Sequence, residues 1–251
     1  MDWTIDALQV GQLLDLPKEV ISFKGAGESA VSAPVIMFVV RSDAGTVIVD
    51  TGGPVDERRV VQHHGFDYVV KSHEHPEAAL ASIGLKPDDV DVVVNTHLHW
   101  DHASNNQLFR RAEHWVQRAE LYYAVHPAPP NRATYEVLPQ IKPLWLETLD
   151  RMKLADGDRE LLEGLSLIGL PGHSPGSQGL AVKTGEGTFL IAGDCVNTYE
   201  NLEGNELYRP RMSGGYTDMV AFASSLERVS DPRWTVIPSH DHAVVARGRF
   251  G

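Results

Sequence analysis

Strand-like apolar runs in this chain end repeatedly in short loops that carry metal-competent side chains, and that recurrence limits the architectures open to it. "VIVDTGG" closes on Asp50, "VDVVVNTHLHWDH" on His97, His99, Asp101 and His102, "LSLIGLPGHSPGS" on His173, "FLIAGD" on Asp194, and "WTVIPSHDH" on His240. Loops at strand ends are where a rigid scaffold positions reactive groups. Helical stretches follow several of these runs. Residues 75–84 read as a helix ended by Gly84, with Pro87 beyond, and 117–126 as a second. Residues 216–230 read as a third, capped by Thr217. Sheets covered by helices, an α/β class, are the expected result. The proline-rich stretch 127–145 is expected to be an irregular loop or lid.

Composition narrows the partners. The chain has 251 residues, 42% hydrophobic and 22% charged, a length that supports a full core. No linker, repeat or low-complexity segment divides it, so one domain over residues 1–251 is expected. The net charge of −12 disfavours nucleic acid and anionic membrane surfaces as partners. A single cysteine, Cys195, excludes an internal disulfide. The start lacks the basic and apolar regions of a signal peptide, and no run reaches the ~20 apolar residues that span a bilayer, so a cytoplasmic location is expected. The expected partners are a small-molecule substrate and at most a second copy of the chain, as a homodimer.

The spacing H-x-H-x-D-H points to metal chemistry. In an extended segment, residues two apart face the same side, so His97 and His99 can grip one ion. The turn that follows can send Asp101 and His102 to a second ion. Imidazole nitrogens and carboxylate oxygens suit Zn²⁺ best, at about 2.0–2.2 Å, while Fe, Mn, Co or Ni fit the same donors. Each ion needs further ligands, and His173, Asp194 and His240 are the candidates at the other strand ends, with Asp194 able to bridge both ions. Asp50 is placed to orient a ligand histidine from behind. His63, His64, His114 and His126 read as ordinary surface or hydrogen-bonded histidines, and His73 and His75 as solvated. His242, two residues from His240, competes with it as a ligand on spacing.

Taken together, "DTG", H-x-H-x-D-H, "PGHSPG", "GD" and the late "SHD" over residues 50–241 resemble the metallo-β-lactamase superfamily. The resemblance implies an αβ/βα four-layer sandwich with a dinuclear site at one edge of the packed sheets. It implies that His97, His99 and His173 hold the first metal, that Asp101, His102 and His240 hold the second, and that Asp194 bridges them. The wording "IGLKPDDVDVVVNTHLHWDHA" (83–103), "LPGHSPGSQGL" (170–180) and "IPSHD" (237–241) is most similar to the N-acyl-homoserine lactonase-like branch. That branch implies quorum quenching by lactone hydrolysis. One departure stands out. Lactonases of this branch often carry a tyrosine three residues after the bridging aspartate, where this chain has Asn197; Tyr199, two further on, either substitutes for it or packs.

The implied chemistry is attack on the ring carbonyl of a lactone, or a related cyclic ester or amide, by a metal-bridging hydroxide. Asp101 is expected to move the proton between attacking water and leaving group, and Asn197 to donate to the oxyanion. Trp100, the loop 25–34, and Tyr135 and Trp145 of the proline-rich stretch are candidate pocket walls or covers. Two other readings share the ligand set. A glyoxalase II-like thioester hydrolase is disfavoured because only eleven residues follow His240. A non-catalytic metal-binding protein is disfavoured because a structural zinc site usually has four closed ligands.

Overall fold

Val35 to Val40 is apolar at every position, and the fold buries both of its faces. A computed structural model describes residues 2–23, 30–61, 63–64 and 66–251, with nothing said of the side chains of 60 and 61. Strands β1 (Thr4–Leu16), β2 (Val31–Ser42), β3 (Gly45–Val49), β4 (Asp67–Val69), β5 (Val92–Val94), β6 (Glu113–Gln117) and β7 (Met152–Ala155) form one sheet. Strands β8 (Arg159–Leu162), β9 (Leu165–Gly169), β10 (Gln178–Thr184), β11 (Gly187–Ile191) and β12 (Thr235–Ile237) form the second, and β13 (Arg249–Phe250) returns to pair with β1.

Side chains alternate across a strand, and here both sets meet apolar partners. Ile36, Phe38 and Val40 point between the sheets, where they join Val47, Val49 and Val94 against Leu167, Leu180, Phe189 and Ile191 of the second sheet. Val35, Met37 and Val39 point outward with Ile48 and Val93, and are covered by Ala79 and Leu80 of the helix Pro76–Ser82 and by Trp100 and Phe109. The outer face of the second sheet is covered in the same way, with Phe222, Leu226 and Val229 of the helix Met219–Val229 on Ile168, Leu190 and Val236. Helix, sheet, sheet, helix is the αβ/βα four-layer sandwich of the metallo-β-lactamase fold that the resemblance implied, and it meets the helix-covered sheets expected from the strand–loop pattern.

Topology then gathers the loops. β3 and β5 are parallel neighbours, as are β11 and β12, so their C-terminal ends open at common edges. The two edges are joined where Gln178 N donates to Thr96 O at 2.9 Å.

Several local expectations shift. The third helix begins at Met219, and its cap is Asp218, whose side chain accepts from Val220 N and Ala221 N. Thr217 instead donates to Gly172 O at 3.1 Å, holding the His173 loop. The strand expected over 89–95 shortens to β5, because Pro87–Asp89 closes a 3₁₀ turn on the Asp89 carboxylate. Among the described residues, no helix is long and apolar enough to cross a membrane.

Candidate metal centre

Asp194 stands at the centre of six other side chains and divides them with its two oxygens. Oδ2 lies 3.9 Å from His97 Nε2 and 3.5 Å from His173 Nε2; Oδ1 lies 3.3 Å from His102 Nε2 and 3.2 Å from His240 Nε2. His99 Nδ1 completes one side, 3.1 Å from His173 Nε2. Asp101 Oδ2 completes the other, 3.6 Å from His102 Nε2 and 3.8 Å from His240 Nε2. All seven residues expected from the sequence therefore converge. They form three overlapping groups: His97, His99 and His173; His97, His102 and Asp194; and Asp101, His102 and His240. The sharp turn into Asp194 depends on Gly193, at φ +53°, where a Cβ would stand 2.7 Å from Thr96 Cβ.

The backs of the rings are fixed. His173 Nδ1 donates to Gly215 O at 2.7 Å, and His240 Nδ1 to Pro34 O at 2.9 Å. Asp50 accepts from His102 Nδ1 at 2.8 Å, and from Thr96 N and Thr96 Oγ1 at 2.7 Å each. With its own proton given to Asp50, the Thr96 hydroxyl accepts from His97 Nδ1 at 3.0 Å. Each of these four rings therefore keeps a proton on Nδ1 and turns Nε2 toward Asp194. Asp50 thus has the orienting place expected of it.

Electrostatics divides the rings. Burial, with help from neighbouring imidazoles, pushes His97 and His99 well below the usual imidazole range, so both stay neutral. Burial opposes a proton on His102, but the carboxylates of Asp194, Asp101 and Asp50 outweigh it and raise its pKa well above the usual value. For Asp194, burial works against ionisation, and His102 and His240 overcome it, holding the carboxyl well below the usual range.

The residues fit divalent metal. The Nε2 atoms of His97 and His102, which face Asp194, are buried and have no hydrogen-bond partner among the described residues, and buried polar atoms in native folds nearly always find one. The 3.1 Å between His99 and His173 nitrogens is near the edge of a tetrahedron with zinc–nitrogen bonds, roughly 3.3 Å.

A family model described as Metallo-beta-lactamase superfamily matches residues 33–240. The chain belongs to the metallo-β-lactamase superfamily. An N-acyl homoserine lactonase of Bacillus thuringiensis is 30% identical over 184 residues, covering 69% of this chain and 68% of the relative. The lactonase AiiB of Agrobacterium fabrum is 28% identical over 229 residues, covering 84% and 80%. A crystal structure of a B. thuringiensis AiiA variant with N-decanoyl-L-homoserine bound at the active site superimposes with a TM-score of 0.77 at 25% identity, over 98% of this chain and 97% of that one. Within the superfamily, this chain stands in the lactonase-like branch and is a metal-dependent hydrolase.

A cavity of about 150 Å³ opens onto this cluster. His99, Asp101, His173, Asp194, Asn197 and His240 line its floor, and Leu13, Leu16, Val20, Ile21, Phe66, Trp100 and Tyr216 its walls. A wider groove of about 710 Å³ beside Arg58 and His75 contains none of the seven convergent residues, so size alone does not mark the site.

Asn197 lines the cavity; its Nδ2 makes only a long 3.4 Å contact with Ile21 O, and its Oδ1 is buried without a partner among the described residues. Tyr199 lies outside the cavity lining, half-buried against the inter-sheet core, with its backbone N bonded to Asp241. Packing is the role the structure displays for it. Trp100 does both things open to it: it packs in the core, with Tyr68 at 5.0 Å, and forms a cavity wall.

Other expectations are corrected. Tyr135 and Trp145 do not cover the cavity. Both are buried, Tyr135 against the His99 ring at 4.6 Å, because the proline-rich stretch folds inward; Asn131 and Thr134 are the residues it contributes to the lining. Of the loop 25–34, residues 25–29 lie outside the described residues. His242 turns away to Ser32 O at 3.2 Å. Cys195 is buried in the outer apolar cluster, its thiol pKa pushed up by burial and then by Asp194. His64, read from sequence as ordinary, lines the cavity with its ring 5.2 Å from Trp100. Glu120 was missed altogether, and only its buried place on an otherwise unremarkable helix reveals it.

Proposed function

We propose that this chain, acting as one domain over residues 1–251, opens a lactone ring that bears an acyl chain. N-acyl homoserine lactones are the class meant, and quorum quenching is the corresponding role. His97, His99 and His173 would hold one divalent ion and Asp101, His102 and His240 a second, with Asp194 shared; zinc suits these donors best. The observation that carries the reading is the juxtaposition of this seven-residue cluster with an apolar-walled cavity. The lactonases reported above support the substrate class.

When bound, the ions would supply an activated water at neutral pH and polarise the ring carbonyl. The chain's own residues do the rest. Asp101 lies at the cavity floor and is only partly buried, so its carboxylate can take a proton from the attacking water and return it to the departing ring oxygen. Asn197 Nδ2, held only by its long contact with Ile21 O, can donate to the carbonyl oxygen as charge develops there. Leu13, Leu16, Ile21 and Trp100 receive the acyl chain and exclude water from the reacting carbonyl.

The test is a panel of acyl homoserine lactones, simple lactones, lactams and thioesters, assayed with zinc-loaded protein. Lactone opening with a preference for acylated rings is expected. Failure to open any lactone, or faster thioester cleavage, would overturn the reading.

A further inference from the structure

Glu120 is fully buried in the first turn of the helix Arg118–Val125 and takes no part in the chemistry above. Among the described residues, its carboxylate accepts four hydrogen bonds, all from segments that carry or touch the first histidine trio. Oε1 accepts from Leu98 N at 2.9 Å and from the Tyr135 hydroxyl at 2.8 Å. Oε2 accepts from Ser174 Oγ at 2.5 Å and from Gly176 N at 3.1 Å. Leu98 stands between His97 and His99, Ser174 follows His173, and the Tyr135 ring lies against His99.

A carboxylate offers about four lone-pair sites, and here each meets one donor. The approach is close as well. A Cβ on Gly176 would lie 2.2 Å from Glu120 N and 2.5 Å from Glu120 Cβ, so the loop after His173 rests directly on this helix.

We propose that Glu120 is the positioning residue of the first half-site, setting the separation of the His97–His99 pair from His173. The inference rests on the metal reading given above. Asp50 bonds His102 directly and reaches His97 only through Thr96, so Glu120 is the carboxylate that ties the His97–His99 segment to the His173 loop. Glu120→Gln keeps the shape but turns an NH₂ group toward one pair of donors, which frees one loop from the other.

The experiment compares zinc-loaded wild type and Glu120→Gln by ion count under stepwise chelation, and by the visible spectrum after Co²⁺ substitution. In the variant, one ion should leave at roughly 10- to 100-fold lower chelator strength while the other holds as in wild type, and the Co²⁺ bands of one site alone should change. Asp50→Asn should release the opposite ion first. Wild-type affinity for both ions in Glu120→Gln, or equal weakening of both, would overturn the inference. Should Glu120→Gln fail to fold, Ser174→Ala removes a single donor: the same ion should loosen by a smaller factor, and an unchanged affinity overturns the proposal. Fewer than two ions in wild type would overturn the metal reading and this inference with it.

Discussion

Asp50 Oδ2 accepts from His102 Nδ1 at 2.8 Å, and that contact decides which nitrogen His102 turns toward Asp194, at 3.3 Å from its Oδ1. Asp50 can do this because it sits just beyond β3 at φ +59°, a left-handed conformation that aspartate tolerates better than most residues. Asp50→Asn would replace one acceptor oxygen with a donor facing other donors. The expected outcome is a 10- to 100-fold loss of metal affinity, on the order of that for other lost outer partners. Competition with a coloured chelator measures it.

Metal should also stabilise the fold. The seven-residue centre joins the ends of both sheets, so it cannot assemble in the unfolded chain. A ligand bound only to the native state at a thousand times its Kd adds about 4 kcal/mol. In a chain of this size that raises Tm by roughly 8–16 °C. Stripping the protein with a strong chelator should lower Tm by about that much, and zinc should restore it. Calorimetry on stripped and reloaded protein checks both directions.

Much of the centre was legible because its residues are short motifs at strand ends. Asp194 could be preferred to the adjacent Cys195 through the resemblance, whose "AGD" register it fits, and the structure buries that thiol in apolar surroundings. β2 carries an apolar run without alternation, and the fold buries both of its faces. Residues that reach the centre from a distance were not legible. Glu120 looks like any helical glutamate until Ser174 and Gly176, more than fifty residues on, close over it. His64 carried no motif, and only the fold brings it beside Trp100. The cavity walls Leu13, Leu16 and Ile21 come from the start of the chain, where sequence shows only apolar residues of a strand and its continuation.

His114 gives the fold a defined acid sensitivity. It is fully buried, with Nε2 3.3 Å from Phe109 O and Nδ1 without a partner among the described residues. Burial lowers its pKa from 6.5 to about 4. Between those values the unfolded chain binds the proton and the native chain does not, so this contribution to stability is present above about pH 6.5 and is lost as pH falls toward about 4. From pH 7 to pH 5 the loss should be about 2 kcal/mol. Urea unfolding at both pH values, in wild type and His114→Gln, isolates it: the variant should show a shallower fall, and an equal fall would remove His114 as the cause.

Acyl-chain length should be read by the apolar wall. Burying a methylene gains about 0.8 kcal/mol, which is roughly a fourfold rise in kcat/KM per added carbon while the chain stays within the walls. Ile21 lines the cavity beside Asn197 and is only 7% exposed, so its side chain is largely committed to this packing. Ile21→Asn places an amide there, whose desolvation opposes the chain. The fourfold steps should shrink toward one, while the shortest acyl lactone reacts nearly as fast as before. Steady-state kinetics over a series from butanoyl to decanoyl homoserine lactone measures the slope directly. An unchanged slope in the variant would place the acyl chain elsewhere, in the open groove beside Arg58 or in solvent, and would leave Leu13, Leu16 and Ile21 as packing alone.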